Sequence, residues 1–136
     1  MSSQLNVDTI VDKAGSGGTN VKVANTSTYV SDGGAVTQNT VQGLAKVWAE
    51  LNGTGTISLD DNFNVGSVTD NGTGDYRFTY SNAFSTSNNS VQGTSNAVHT
   101  QAYDSQTTYA ELRTYGSATS AFDTSRTNLA VFGDLA

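Results

Sequence analysis

The amino-acid sequence predicts an all-β protein: an antiparallel β-sandwich head, the jelly-roll type included, behind a short N-terminal β-hairpin arm. Three observations lead there. Apolar and polar residues alternate with period two in short runs, as in Tyr76-Arg77-Phe78-Thr79-Tyr80. Turns rich in glycine and asparagine separate these runs, and Asn71-Gly72 is the strongest of them. About seven such runs follow one another at the spacing of a sandwich.

Residues 1–43 form a segment of their own, because their apolar side chains are almost all small aliphatics and Tyr29 is their single aromatic. Leu5-Asn6-Val7 and Val21-Lys22-Val23 alternate on either side of Gly15-Ser16-Gly17-Gly18, which reads as two strands around a glycine turn. A hairpin this thin is not stable alone. It must dock, and Leu5, Val7, Ile10, Val21 and Val23 are the residues that would be buried against a neighbour. Ser31-Asp32-Gly33-Gly34 reads as a loop.

Residues 37–52 carry two signals. Val41, Leu44, Ala45, Trp48 and Leu51 share one helical face, with Gly53 placed as a helix stop. The same stretch also runs into Asn52-Gly53-Thr54-Gly55, a hairpin turn, and Gly43 weakens the helix. From Thr56 the reading is β throughout. Ile57 and Leu59 alternate, Asp60-Asp61-Asn62 turns, and Val65 and Val68 belong to a strand interrupted at Gly66. The turn at Asp70–Gly74 then sends Tyr76, Phe78 and Tyr80 to one face and Arg77 and Thr79 to the other. Residues 81–96 are small and polar and read as an excursion. Ala97–Tyr103, Thr107–Tyr115 and Asn128–Phe132 complete the strands, so the head spans residues 44–136.

Composition removes several function classes. Of 136 residues, 63 are Ser, Thr, Asn or Gly, and none is Cys or Pro, which excludes disulfide scaffolds, zinc fingers and thiol chemistry. The net charge is −6 and the six Lys and Arg are scattered singly, so no basic stripe exists for nucleic acid or for a membrane surface. No apolar run reaches the length of a membrane span, and Met1–Asp8 carries no secretion signal. A small chain without staples commonly gains burial by oligomerising.

Motif by motif, catalysis finds little support. His99 is the single histidine, and no Gly-x-Ser-x-Gly elbow accompanies it. Asp60–Gly66 imitates a calcium loop, but Val65 holds the position that needs glycine and Asn71 the position that needs glutamate. Asp70 and Asp75 offer at most a casual cation site. Glu50 and Glu111 are the only glutamates, and nothing in the sequence brings them together as a glycosidase pair. Gly15–Gly18 lacks the lysine and flanking elements of a phosphate loop. Asn25, Asn52, Asn71 and Asn88 stand in Asn-x-Ser/Thr triplets, which carry no weight without a secretion signal. Trp48, Tyr76, Phe78 and Tyr80 read as core, the rival reading being a sugar-stacking groove beside the polar loop Ser85–Gln92. No cofactor and no enzymatic activity are expected.

Two segments carry a family resemblance. Ser3–Lys13 with Val21-Lys22-Val23 resembles a short module of bacteriophage tail-fibre and related virion proteins. Lys46–Thr56, Phe63-Asn64-Val65 and Ser67–Tyr76 are similar to a β-domain of the same class, and Val131-Phe132-Gly133-Asp134 looks like that domain's end. The resemblance implies that Lys46–Asn52 is a strand, leaving at most a helical turn near Thr40–Leu44. It implies a structural virion component assembled in the host cytoplasm, usually a homotrimer on tail or capsid, with other virion proteins as partners. The alternative in the same class is a receptor-recognition head that binds a host glycan. The chain lacks the length and shaft repeats of most such fibres.

Overall fold

Period two prevails from Val47 onward because each alternating run can bury one face against a second sheet. The computed structural model describes residues 28–30, 37–39 and 43–135. The chain divides into two units, residues 1–41 and 42–136. In the first, β1 (Thr28–Val30) pairs antiparallel with β2 (Thr37–Asn39), with Tyr29 opposite Gln38. The strands expected at Leu5–Val7 and Val21–Val23, their glycine turn, the docking residues Leu5, Val7, Ile10, Val21 and Val23, and the loop at Ser31–Gly34 lie outside the described residues.

The second unit is a β-sandwich. Its strands are β3 (Val47–Asn52), β4 (Ser58–Phe63), β5 (Val65–Gly72), β6 (Asp75–Tyr80), β7 (Ser90–Ser95), β8 (His99–Ser105), β9 (Tyr109–Tyr115) and β10 (Thr127–Phe132). They form two four-stranded antiparallel sheets, ordered β4-β3-β10-β7 and β5-β6-β9-β8. Hairpins join β3 to β4, β5 to β6 and β8 to β9 within a sheet; the other connections carry the chain between sheets. Val47, Ala49 and Leu51 face Tyr76, Phe78 and Tyr80 across the core, with Ala110, Leu112, Leu129 and Val131. Each large side chain here contributes about 1.5–3 kcal/mol of burial.

Four expectations change. The strand expected at Lys46–Asn52 forms as β3, with Val47, Ala49 and Leu51 inward, but Trp48, read as core, turns outward and is 38% exposed. Asp60-Asp61-Asn62 lies inside β4, and the bend comes at Asn64, whose φ of 59° is the one left-handed non-glycine conformation among the described residues. Asparagine tolerates that conformation because its side chain replaces the lost backbone partners. Its amide donates to the carbonyls of Lys46 and Asn82 at 3.2 and 3.1 Å, and its carbonyl accepts from the Asn82 backbone N–H at 2.7 Å. The third change is the β5–β6 turn. Gly72 pairs with Asp75, so Thr73-Gly74 forms the loop and Asn71 is a bulge. Lastly, the 81–96 excursion contains a full strand, β7. It has one apolar residue, and its inward Gly93 packs tightly, since a Cβ there would lie 2.7 Å from Leu112 Cδ2 and the leucine would have to shift.

Candidate functional site

The residues of Thr69–Tyr76 are taken up in building a turn. The Asp70 carboxylate accepts from Gly72 N–H at 2.9 Å, the Asn71 amide donates to Glu111 at 3.4 Å, and Gly72 and Gly74 take positive φ. Asp75 pairs with Arg113, and the Tyr76 hydroxyl donates to Asp123 at 3.0 Å. Asp123 also accepts from Gly74 N–H at 2.6 Å, so one carboxylate from the β9–β10 connection locks the turn. Burial, then the Asp123 carboxylate, pushes the Tyr76 phenol up to about 12. Nothing in the sequence flagged Asp123.

The chemistry-bearing residues weighed from the sequence stay apart. Glu50 lies on the outer face of β3, paired with Arg126 at 2.7 Å, while Glu111 lies on the outer face of the other sheet, paired with Arg77 at 2.6 Å. They cannot flank one glycosidic bond. His99 is exposed at the start of β8 with its ring 5.5 Å from that of Tyr115. Asp60 and Asp61 stand on an extended strand, and Asp70 and Asp75 are each engaged as above. Among the described residues no group of three His, Cys, Asp or Glu is placed to hold a metal ion. Of the four aromatics, Tyr76, Phe78 and Tyr80 are core, and Trp48 is outside beside its cross-strand partner Phe63.

The richest surface is the outer face of β5-β6-β9-β8. On β9, residues Tyr109, Glu111, Arg113 and Tyr115 alternate outward while Ala110, Leu112 and Thr114 point in. That second alternation was visible in the sequence. Arg77 lies over the Tyr109 ring at 4.2 Å, and Arg113 over the Tyr103 ring at 3.3 Å. A bulge between Ala102 and Asp104 adds Tyr103 to the strand and leaves it half exposed on this face. The Tyr109 hydroxyl donates to Asp104 at 2.8 Å, which raises the phenol, while Gln106 and then Tyr109 hold the Asp104 carboxyl below its ordinary value. Glu111 holds Arg77 above its usual value, and Asp75 does so for Arg113 against partial desolvation. Glu111 is covered by these neighbours and is 6% exposed.

At one end of this face a shallow cavity of about 180 Å³ is lined by Thr73, Gly74, Asp75, Arg113, Tyr115 and Ala121. Asp75 spends Oδ2 on Arg113 and leaves Oδ1 buried without a hydrogen-bond partner. The exposed groups around this cavity are the Arg113 guanidinium, held by Asp75, and the tyrosine rings, with Tyr103 half exposed.

Comparison of the chain with protein-family models, with curated proteins and with solved structures gave no match.

Proposed function

We propose that the chain is a structural component of a bacteriophage virion: a short oligomeric fibre, appendage or surface-decoration protein without enzymatic activity. It docks through residues 1–43 and exposes the sandwich. One observation supports this reading above others. The segment that resembles phage proteins, residues 45–80, folds as one contiguous half of the sandwich, and its most specific residues form a hairpin rather than a catalytic cleft. A module whose distinctive residues build its frame is suited to assembly and display. The test compares full-length protein with a chain lacking residues 1–43. The full chain is expected to be oligomeric by light scattering and incorporated into particles; the shortened chain is expected to keep β-rich circular dichroism and to be excluded from them. A full chain that is monomeric at every concentration, with residues 1–43 dispensable for incorporation, refutes the reading.

A second reading, recognition of a host-surface glycan, is favoured by the half-exposed Tyr103 ring beside Arg113 and the shallow cavity next to them. Tyr103 supplies a ring for stacking and Arg113 supplies donors for sugar oxygens. On a glycan array, wild-type protein should retain ligands that Arg113→Gln and Tyr103→Ala each lose; no retained glycan removes this reading.

A further inference from the structure

Every open sandwich has strand edges, and an edge left unguarded is a place for another strand to add. Among the described residues the four edges of the sandwich are β4, β5, β7 and β8. Three are guarded. Asp60 and Asp61 stand on β4, which is bulged opposite Glu50 and Leu51. Two bulges interrupt β5, which carries Asp70. On β8, His99 and Asp104 flank a bulge at Tyr103. The fourth edge, β7, reads Ser90-Val91-Gln92-Gly93-Thr94-Ser95, without a charge, and pairs with β10 over all six residues without a break.

The register says which groups this edge offers. Asn96 N–H donates to the Arg126 carbonyl at 3.2 Å, in line with the β7–β10 pairing. Hydrogen-bonded pairs alternate along an antiparallel ladder, so Ser90, Gln92 and Thr94 turn their backbone groups to β10. The N–H and C=O of Val91, Gly93 and Ser95 then point away from the sheet. The sandwich is also unfinished at this edge. Val91 packs against the core but is only partly buried, and a cavity of about 240 Å³ lies beside it, lined also by Asn89, Ala102, Tyr103, Asp104 and Ser105.

We propose that β7 is a self-association edge, where a second copy of this chain adds its own β7 antiparallel across a two-fold axis at Gly93. A two-fold contact requires a surface that complements itself. An uncharged strand does so, because the like charges that would oppose each other in self-pairing are absent. In this register Gly93 exchanges both backbone hydrogen bonds with the partner's Gly93, Val91 pairs with the partner's Ser95, and Gln92 lies opposite the partner's Thr94. The two sheets become one, and the cavity beside Val91 is covered. A two-fold contact joins copies in pairs, so it is separate from the three-fold association that the phage resemblance implies.

The test uses the full chain and reads molar mass by analytical ultracentrifugation over a range of concentrations. Gln92→Lys with Thr94→Lys sets lysines opposite each other twice and should halve the mass of the assembly. Gln92→Lys with Thr94→Glu sets opposite charges together and should restore it. Both positions face solvent, so circular dichroism should stay as in wild type. Amide hydrogen exchange at Val91, Gly93 and Ser95 in the wild-type protein should slow as concentration rises. Wild-type protein whose mass does not depend on the charge pattern at residues 92 and 94 overturns the proposal. If a variant fails to fold, exchange at Val91, Gly93 and Ser95 that is independent of concentration overturns it equally.

Discussion

Gly53 and Gly55 sit two residues apart in one hairpin turn, yet they are glycines for different reasons, and substituting each by alanine separates those reasons. A Cβ at Gly53 would lie 2.2 Å from the Tyr76 hydroxyl oxygen and 2.5 Å from its Cζ. The Tyr76 ring is fully buried, and its hydroxyl donates to Asp123 at 3.0 Å and reaches the Gly53 carbonyl at 3.3 Å. The ring must therefore yield by about an ångström inside a packed core, an overpacking cost of about 1–3 kcal/mol. Moving the hydroxyl weakens its charged hydrogen bond, about 1.5–3 kcal/mol more. Alanine restricts the unfolded chain and returns about 0.4–1 kcal/mol. Gly53→Ala is thus expected to cost about 3 kcal/mol. Gly55 has open space around its Cβ position and φ of 65°, so Gly55→Ala meets only left-handed strain, about 1 kcal/mol. Urea unfolding followed by circular dichroism and by Trp48 fluorescence measures both. A Gly53→Ala protein within about 0.5 kcal/mol of wild type, or one more stable than Gly55→Ala, refutes the reasoning.

Other outcomes follow from the same structure. Burial raises the phenols of Tyr76 and Tyr80 from 10.0 to about 12, helped at Tyr76 by Asp123 and opposed at Tyr80 by Ser105. The folded state holds these protons more tightly, so stability is intact below pH 10 and falls as pH rises toward 12; thermal unfolding across that range checks it, and Tyr80→Phe should blunt the fall. Leu112→Ala empties a fully buried site at the centre of the core and should cost about 2–5 kcal/mol in the same urea assay. Asn64→Ala loses the side-chain bonds that stitch the β4–β5 corner and keeps the left-handed strain, so a loss of about 2–3 kcal/mol is expected, larger than for Asn64→Gly. Glu50→Ala removes an exposed ion pair with Arg126 and should change stability by less than about 1 kcal/mol.

The strands that could be read in the sequence are those whose two faces differ in polarity. Tyr76-Arg77-Phe78-Thr79-Tyr80 and Leu129-Ala130-Val131 announce an inner face, and both are central strands of their sheets. β7 was hidden because an edge strand buries little, and its tightest contact uses glycine, which pattern reading takes as loop. β4 was hidden for the opposite reason: Asp60 and Asp61, which guard an edge, resemble the residues of a turn. The tyrosine–arginine face lay in view as the alternate residues of the same strand that supplies Ala110 and Leu112, but the grouping of Arg77, Tyr103, Asp104 and Asp75 around them joins positions up to 38 residues apart.

By itself, then, the sequence determined the class: short alternating runs, Asn-Gly turns and the absence of cysteine leave a β-sandwich as the way to bury so few apolar side chains. Only the tertiary structure decided which strands are neighbours, which edge stays open, and that the distant Asp123 joins the local Asp70 in holding the Gly72–Gly74 turn. The physical reason is range. Alternation and turn chemistry act over a few residues and are written in order along the chain, whereas pairing, edge protection and carboxylate capture depend on contacts that exist only after the two sheets have closed on each other.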